Sequence, residues 1–258
     1  MSGASQAQVT TILQSEFTTT ASRNVARRPT TPAAVPQLSP DLALATYERG
    51  LQIQASELAA YTTVSLIEAR LPDSAQSAQY ELRKHYAAPA ALDFSALRSS
   101  GDAFVKSNVI VRLLQSEVDH VHRREQTQTA INSANYKFSY KGDSLLNGTL
   151  TYVYEVKPRT KRVGLFKGRI YVDGATGYLL RAQGRIVKSP SFFIKKIDFV
   201  QDYATLDGFT LPTHIHSEAQ TRIIGKAVVD ITNRDYRTEF VGAGDRSIET
   251  AAIIDGTD

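Results

Sequence analysis

Two histidines and a carboxylate stand at alternate positions in His214-Ile215-His216-Ser217-Glu218. In a strand this spacing puts all three on one face, and two imidazoles with a carboxylate are a donor set for zinc or iron. Such a centre would make the protein a metal-dependent enzyme. Ile215 takes the opposite, apolar side, so the same pattern also describes a solvated outer face. Glu117, His120 and His122 offer a second arrangement, since Glu117 and His120 have the three-residue spacing of a helical carboxylate–histidine ligand pair. No second Glu-x-x-His completes it, and a charged helix surface accounts for the same residues. Neither set leads us to expect a bound metal, and no cofactor is expected. Gly164, Gly168, Gly174 and Gly177 lack the Gly-Lys-Ser/Thr ending of a phosphate loop, and no Gly-x-Ser-x-Gly elbow is present. No catalytic residue is assigned.

Two other groups point to binding. Lys157, Arg159, Lys161, Arg162 and Lys167 cluster around one expected hairpin, and with Lys188, Lys195 and Lys196 they could form a basic rim. A rim of this kind meets anionic lipid headgroups or an acidic protein, or simply protects edge strands and keeps the chain soluble. The apolar set comprises Tyr152, Tyr154, Tyr178, Leu180, Phe193, Phe199, Phe209 and Leu211, with Tyr203 beside them. These residues either pack as ordinary core or line an elongated apolar cavity. A register error of one residue would exchange their faces.

The elements that must position these groups follow from hydrophobic period. Ser39-Pro40-Asp41 opens a helical pattern over residues 41–55, with a capping side chain and proline in the first turn. Tyr61–Leu71 and Ala78–Tyr86 are partly alternating, separated by the turn signal Pro72-Asp73, and read as a hairpin. After Gly101-Asp102, the spacing of Val109, Leu113, Glu117 and Val121 predicts a second helix. From Asn135 to Tyr236 the period becomes two, giving about six strands with turns at Asn147-Gly148, Asp173–Gly177 and Asp207-Gly208. Short turns between successive strands make an antiparallel meander. A sheet this long curls, and two helices are available to cover its apolar face. The expected fold is therefore α+β, mainly β.

Composition narrows the classes. The chain has 258 residues, 42% hydrophobic and 22% charged, with a net charge of only +4, so nucleic acid is not an expected partner. It contains no cysteine, which excludes disulfides and thiolate chemistry. No stretch approaches about 18 consecutive apolar residues, so the chain is expected to be soluble. The first residues lack a basic and an apolar signal region; a cytosolic protein or a removed signal peptide fits equally. Residues 1–40, with Pro29, Pro32, Pro36 and Pro40, read as an extended arm carrying at most a short helix near 9–17. Residues 41–240 form the domain, and 241–258 a loose tail.

Several strings carry a family likeness: Gly101-Asp102-Ala103-Phe104-Val105, Asn135-Tyr136-Lys137-Phe138, Glu155-Val156-Lys157-Pro158-Arg159, Phe166–Asp173 with Thr176-Gly177, Lys188–Phe193, and Gly208-Phe209-Thr210-Leu211-Pro212. Together, over residues 41–237, they resemble the LolA/LolB-like lipoprotein-carrier superfamily of outer-membrane lipoprotein-sorting proteins. The resemblance implies an open half-barrel of antiparallel strands with about two helices packed in its concave face. It also implies an exported, periplasmic protein whose signal peptide has been removed. As its partner it implies a lipid or lipidated protein, held through the concave face without catalysis, with possible peripheral contact to a membrane. The chain departs from the carriers in its Pro/Thr-rich arm and in lacking their ligand-gating arginine. That narrows the expectation from lipoprotein transfer to carrying or sensing an apolar ligand. The alternatives are an envelope interaction or assembly module with a filled core and the metal-dependent enzyme.

Overall fold

The computed structural model describes residues 36–242. The short helix expected near 9–17, most of the 1–40 arm and all but the start of the 241–258 tail lie outside the described residues. Ten antiparallel strands form one curved, unclosed sheet in the order β3-β2-β1-β10-β9-β8-β7-β6-β5-β4. They are β1 Leu58–Leu71, β2 Gln76–Ala87, β3 Ala91–Gly101, β4 Tyr136–Leu146, β5 Thr149–Pro158, β6 Phe166–Asp173, β7 Leu179–Ile186, β8 Ile194–Leu206, β9 Phe209–Thr221 and β10 Lys226–Phe240. Neighbours in the sheet are also neighbours in the chain, except β1 and β10. That seam joins Ile67 to Ile231 and Ala69 to Val229. The expected mainly-β half-barrel with two covering helices is formed.

Helix α1 (Pro40–Glu57) begins where Ser39 accepts a hydrogen bond from the Leu42 amide (3.3 Å), with proline at the first helical position. Its seat is built by the β6–β7 turn. Asp173 Oδ1 accepts from the amides of Ala175 (2.7 Å) and Thr176 (3.1 Å), which fixes the turn. The Leu38 amide then donates to the Gly174 carbonyl at 2.8 Å. Gly177 has φ +75°, and a Cβ there would stand 2.8 Å from Thr46 Cβ. Only glycine supplies both that backbone and that closeness. From the sheet, the Tyr152 and Tyr154 hydroxyls donate to the Leu38 and Pro40 carbonyls, each at 2.5 Å. The Asp-Gly-Ala-Thr-Gly turn is therefore a helix dock as well as a hairpin.

Helix α2 spans 103–122, with a π-helical turn at Lys106–Ile110. Asp102 caps it by accepting from the Val105 amide at 3.0 Å. A short helix α3 (Gln126–Thr129) follows before the chain enters β4.

Two strands exceed the sequence reading. Seven strands rather than six follow Asn135, because β4 is separate from β5, and β3 extends the first hairpin to three strands. Both are sheet edges. Leu92 is the one buried side chain of β3, so its sequence carries no alternation to read.

Candidate functional site: a half-buried apolar strip between two helices

Residues paired across adjacent strands share a face. One row on the helix side runs Ala69, Val229, Ser217, Phe199, Gly184, Gly168, Val156 and Phe138. The next runs Ile67, Ile231, Ile215, Gln201, Ala182, Ile170 and Tyr154. At one end of these rows α2 seals the sheet. Val105 and Ile110 are fully buried against Ile67, Ala69, Leu71 and Leu82. At the other end α1 seals it, with Ala43 and Tyr47 buried on Tyr152, Tyr154, Ile170 and Val172. The two cores are separate. Ile197 and Ile215 belong to neither, and with Phe199, Ala219, Gln201 and Ser217 they are half-buried on the helix side of β8 and β9. The strip is two strands wide, about 10 Å, and about 13 Å long between Ile197 and Gln201.

Polar groups gather beyond the end of the strip, where β1, β2 and β10 run under α2. Buried Ser65 donates to Asn233 Oδ1 at 2.6 Å, and Asn233 donates to the Pro212 carbonyl at 3.0 Å. The Tyr236 hydroxyl donates to the same carbonyl at 2.6 Å. Lys84, 9% exposed, pairs with Glu117 on α2. Tyr61 stacks on Tyr86 with centroids 5.2 Å apart. Burial pushes the phenols of Tyr61 and Tyr236 well above their ordinary range, with Glu117 adding to both. On the α1 side burial does the same to Tyr47 and Tyr203, and lifts Tyr136 to about 12. Every one of these phenols is a neutral hydroxyl across the physiological range.

The structure divides the apolar set expected from sequence. Tyr152 and Tyr154 are buried beneath α1. Phe209 and Leu211 are buried with Leu58 in a small third core. Phe199 stands at the strip, its ring edge-on to Phe166 at 5.0 Å. Tyr178 lines a crevice of about 230 Å³ between α1 and the β6–β7 and β8–β9 turns. A register shift between Tyr171 and Val172 puts Leu179 in the core with Ala182, and Leu180 is half-buried. Phe193 lies just before β8 begins, in an exposed loop. Ile197, Ile215 and Ala219 are the strip residues that sequence reasoning left unassigned; the alternation of β8 and β9 was the available signal.

The basic residues also separate. Lys157 and Lys167 point to the outer face. Lys157 pairs with Glu155 at 3.3 Å, while Lys167 lines an open outer groove of about 760 Å³ with Lys161, Arg169 and Arg185. Arg159, Lys161 and Arg162 occupy the β5–β6 loop, where Arg159 donates to the Ser133 carbonyl at 2.8 Å and Arg162 to Gln128.

His214, His216 and Glu218 share the outer face with Asp230, which is the register partner of His216 on β10. His216 Nδ1 lies 2.6 Å from Asp230 and Arg70 lies 2.6 Å from the same carboxylate. Partial burial opposes the Asp230 charge, but the His216 hydrogen bond and Arg70 hold its carboxyl below the usual range. Glu117 turns to Lys84, whereas His120 faces Glu125 and Thr129, each at 3.2 Å. Among the described residues no group of three such side chains is placed to hold a metal ion. No described helix is long and apolar enough to cross a membrane.

No protein-family model and no curated protein matches the sequence. Solved structures do resemble it. A DUF1329 family protein from Desulfovibrio piger is 14% identical over 84% of this chain and 100% of its own, with a TM-score of 0.41. A LolA superfamily protein from Nitrosomonas europaea is 13% identical over 78% of this chain and 94% of its own, with a TM-score of 0.40. A domain described as an outer membrane lipoprotein-sorting protein, from Vibrio parahaemolyticus, is 12% identical over 83% of this chain and 99% of its own, with a TM-score of 0.39. The neighbours of this chain among solved structures are thus DUF1329 and LolA-superfamily proteins.

Proposed function

We propose that the protein is a non-enzymatic carrier or sensor that holds an acyl chain, as part of a lipid or lipidated protein, in the bacterial cell envelope. The observation that carries this reading is that Ile197 and Ile215 are half-buried outside both cores, with Phe199 at the margin of the α1 core and Ala219 at that of the α2 core. A curved sheet that leaves Ile197 and Ile215 only half-buried gains by covering them further. An open trough covers one side of a hydrocarbon chain, about half of the ~0.8 kcal/mol per methylene available on full burial. On the order of ten methylenes then gives about 4 kcal/mol, millimolar binding. Closure of α1 and α2 over the chain approaches twice that, in the micromolar range. Phe199 is the member of the sequence-derived set that would touch such a chain, while Tyr152 and Tyr154 hold α1 beside it and Phe209 and Leu211 pack in the third core.

Native mass spectrometry of the protein purified from bacterial envelopes, with titration of a fluorescent fatty acid, tests the reading. Copurified lipid and micromolar probe binding that Ile215→Glu weakens at least tenfold are the expected results. A protein that emerges without lipid and ignores the probe refutes it. A filled interaction scaffold is the competing reading. It is favoured by Ala43 and Tyr47 of α1 and Val105 and Ile110 of α2 already filling the two cores, and it predicts that Ile215→Glu leaves partner capture intact.

A further inference from the structure

We propose that one rim of the half-barrel is a docking surface for an anionic lipid bilayer, with Phe192, Phe193 and Ile223 entering the interface. This goes beyond the ligand reading and does not depend on it. The β5–β6, β7–β8 and β9–β10 loops and the β1–β2 turn all emerge at one end of the sheet, because the strands between them are successive and antiparallel. There Phe192 is 77% exposed, Phe193 51% and Ile223 72%, and Val163 adds a fourth exposed apolar side chain. Two bulky rings and an isoleucine on adjacent loop tips are costly to leave in water unless something covers them.

The tips are held in place. Arg222 donates from its backbone to the Phe193 carbonyl (2.8 Å) and from Nε to the Phe192 carbonyl (2.8 Å), tying the two loops together. Its guanidinium also stands over the Phe192 ring, 4.7 Å from the centroid. Ser189 Oγ braces the β7–β8 loop against the Ile194 carbonyl at 2.6 Å. The aromatic pair is therefore preorganised.

Charge selects the partner. Arg159, Lys161, Arg162, Lys188, Lys195 and Arg222 surround the tips, and none pairs with a carboxylate among the described residues. The carboxylates of this rim are engaged: Asp73 accepts from the Lys226 amide, and Asp102 caps α2. The opposite rim also exposes apolar groups, Leu145 at 72% and Val241 at 64%, but beside Asp143, Asp173 and Asp207. Exposed aromatics ringed by unpaired cations match an anionic headgroup layer over hydrocarbon. The other rim does not.

The chain has no tryptophan, so Phe192→Trp in the full chain gives a single reporter. Its emission should shift to the blue with vesicles of phosphatidylcholine and phosphatidylglycerol, and not with phosphatidylcholine alone. Leu145→Trp, the control on the other rim, should not shift. Replacing Lys161, Lys188 and Lys195 together by glutamine should lower vesicle partition on the order of 100-fold, at about tenfold or less per charge, with an unchanged melting temperature because all three side chains are exposed and none of them ties a loop. No shift of the Phe192→Trp reporter overturns the proposal. So does an equal shift at both rims, or a response to soluble polyglutamate or glycerophosphate that vesicles do not reproduce. Because the reporter reads the rim and the fatty-acid titration reads the trough, one can fail while the other stands.

Discussion

Glu117→Gln should destabilise the protein by about 2 kcal/mol, while Lys84→Met should cost almost nothing. Lys84 is 9% exposed and is paired with Glu117, whose side chain is 39% exposed. Breaking a fully buried pair costs ~3–5 kcal/mol, because the surviving charge has neither water nor partner. A fully exposed pair is worth ~0–1 kcal/mol. With the ammonium buried and the carboxylate partly wet, the expected value falls between, at about 2 kcal/mol. In a domain of this size that lowers the melting temperature by about 4–8 °C. Lys84→Met removes the charge while keeping an unbranched stem beside the Phe94 ring, so it should lie within about 1 kcal/mol of the natural protein. Urea unfolding of both single variants and the double variant closes the cycle. In the Lys84→Met background, Glu117→Gln should be nearly neutral. Equal costs in the two backgrounds would refute the account, since the ammonium would then not be what Glu117 neutralises.

Other perturbations follow from the same geometry. Gly177→Ala should destabilise by about 2–4 kcal/mol in thermal unfolding, because it forces a Cβ against Thr46 and the Ala43 carbonyl at positive φ, loosening α1. Acidification should weaken the fold as pH drops below about 4. Asp230 and Asp198 are held low by ion partners that outweigh partial burial, and Glu218 is held low first by its hydrogen bond from Lys226. The stability these carboxylates give is present above their unfolded values and is lost as pH falls through the lowered folded ones. Asp230→Asn should flatten that part of an acid-unfolding curve. At the alkaline end the sign reverses. Tyr136, raised to about 12 by burial, stabilises fully below pH ~10 and loses that contribution as pH rises toward 12. Absorbance titration of the phenolates should show a late group that collapses to an ordinary value in urea.

Much of the fold could be read from residue order. Ser39-Pro40-Asp41 marked α1, the three-and-four spacing after Asp102 marked α2, and period-two runs with Asn-Gly and Asp-Gly turns marked the meander. Edge strand β3 was illegible because only Leu92 is buried and Phe94 half-buried, at its first residues, so too few positions alternate to leave a pattern. Leu180 was placed a residue away from the core position because the shift at Tyr171 moves Leu179 inward, a change of parity that hydropathy does not announce. Phe193 has the even spacing to Ile197 and Phe199 of a strand residue, yet it precedes β8 and is held in a loop tip by Arg222. The basic residues were visible as a cluster, yet their division between outer face and rim depends on which strand ends meet, which is a matter of topology.

The β1–β10 seam has a consequence for how the molecule is made. Ser65 and Asn233 meet across it though they stand 168 residues apart in the chain. Every other strand pairing closes a local hairpin, so each can form soon after its residues leave the ribosome. β1 instead waits, with one edge open, until nearly the whole domain has been synthesised. Strand assembly is therefore finished by its last-made member, and a chain truncated before residue 226 keeps its ready-made hairpins but loses the join that turns two β-ribbons into one trough.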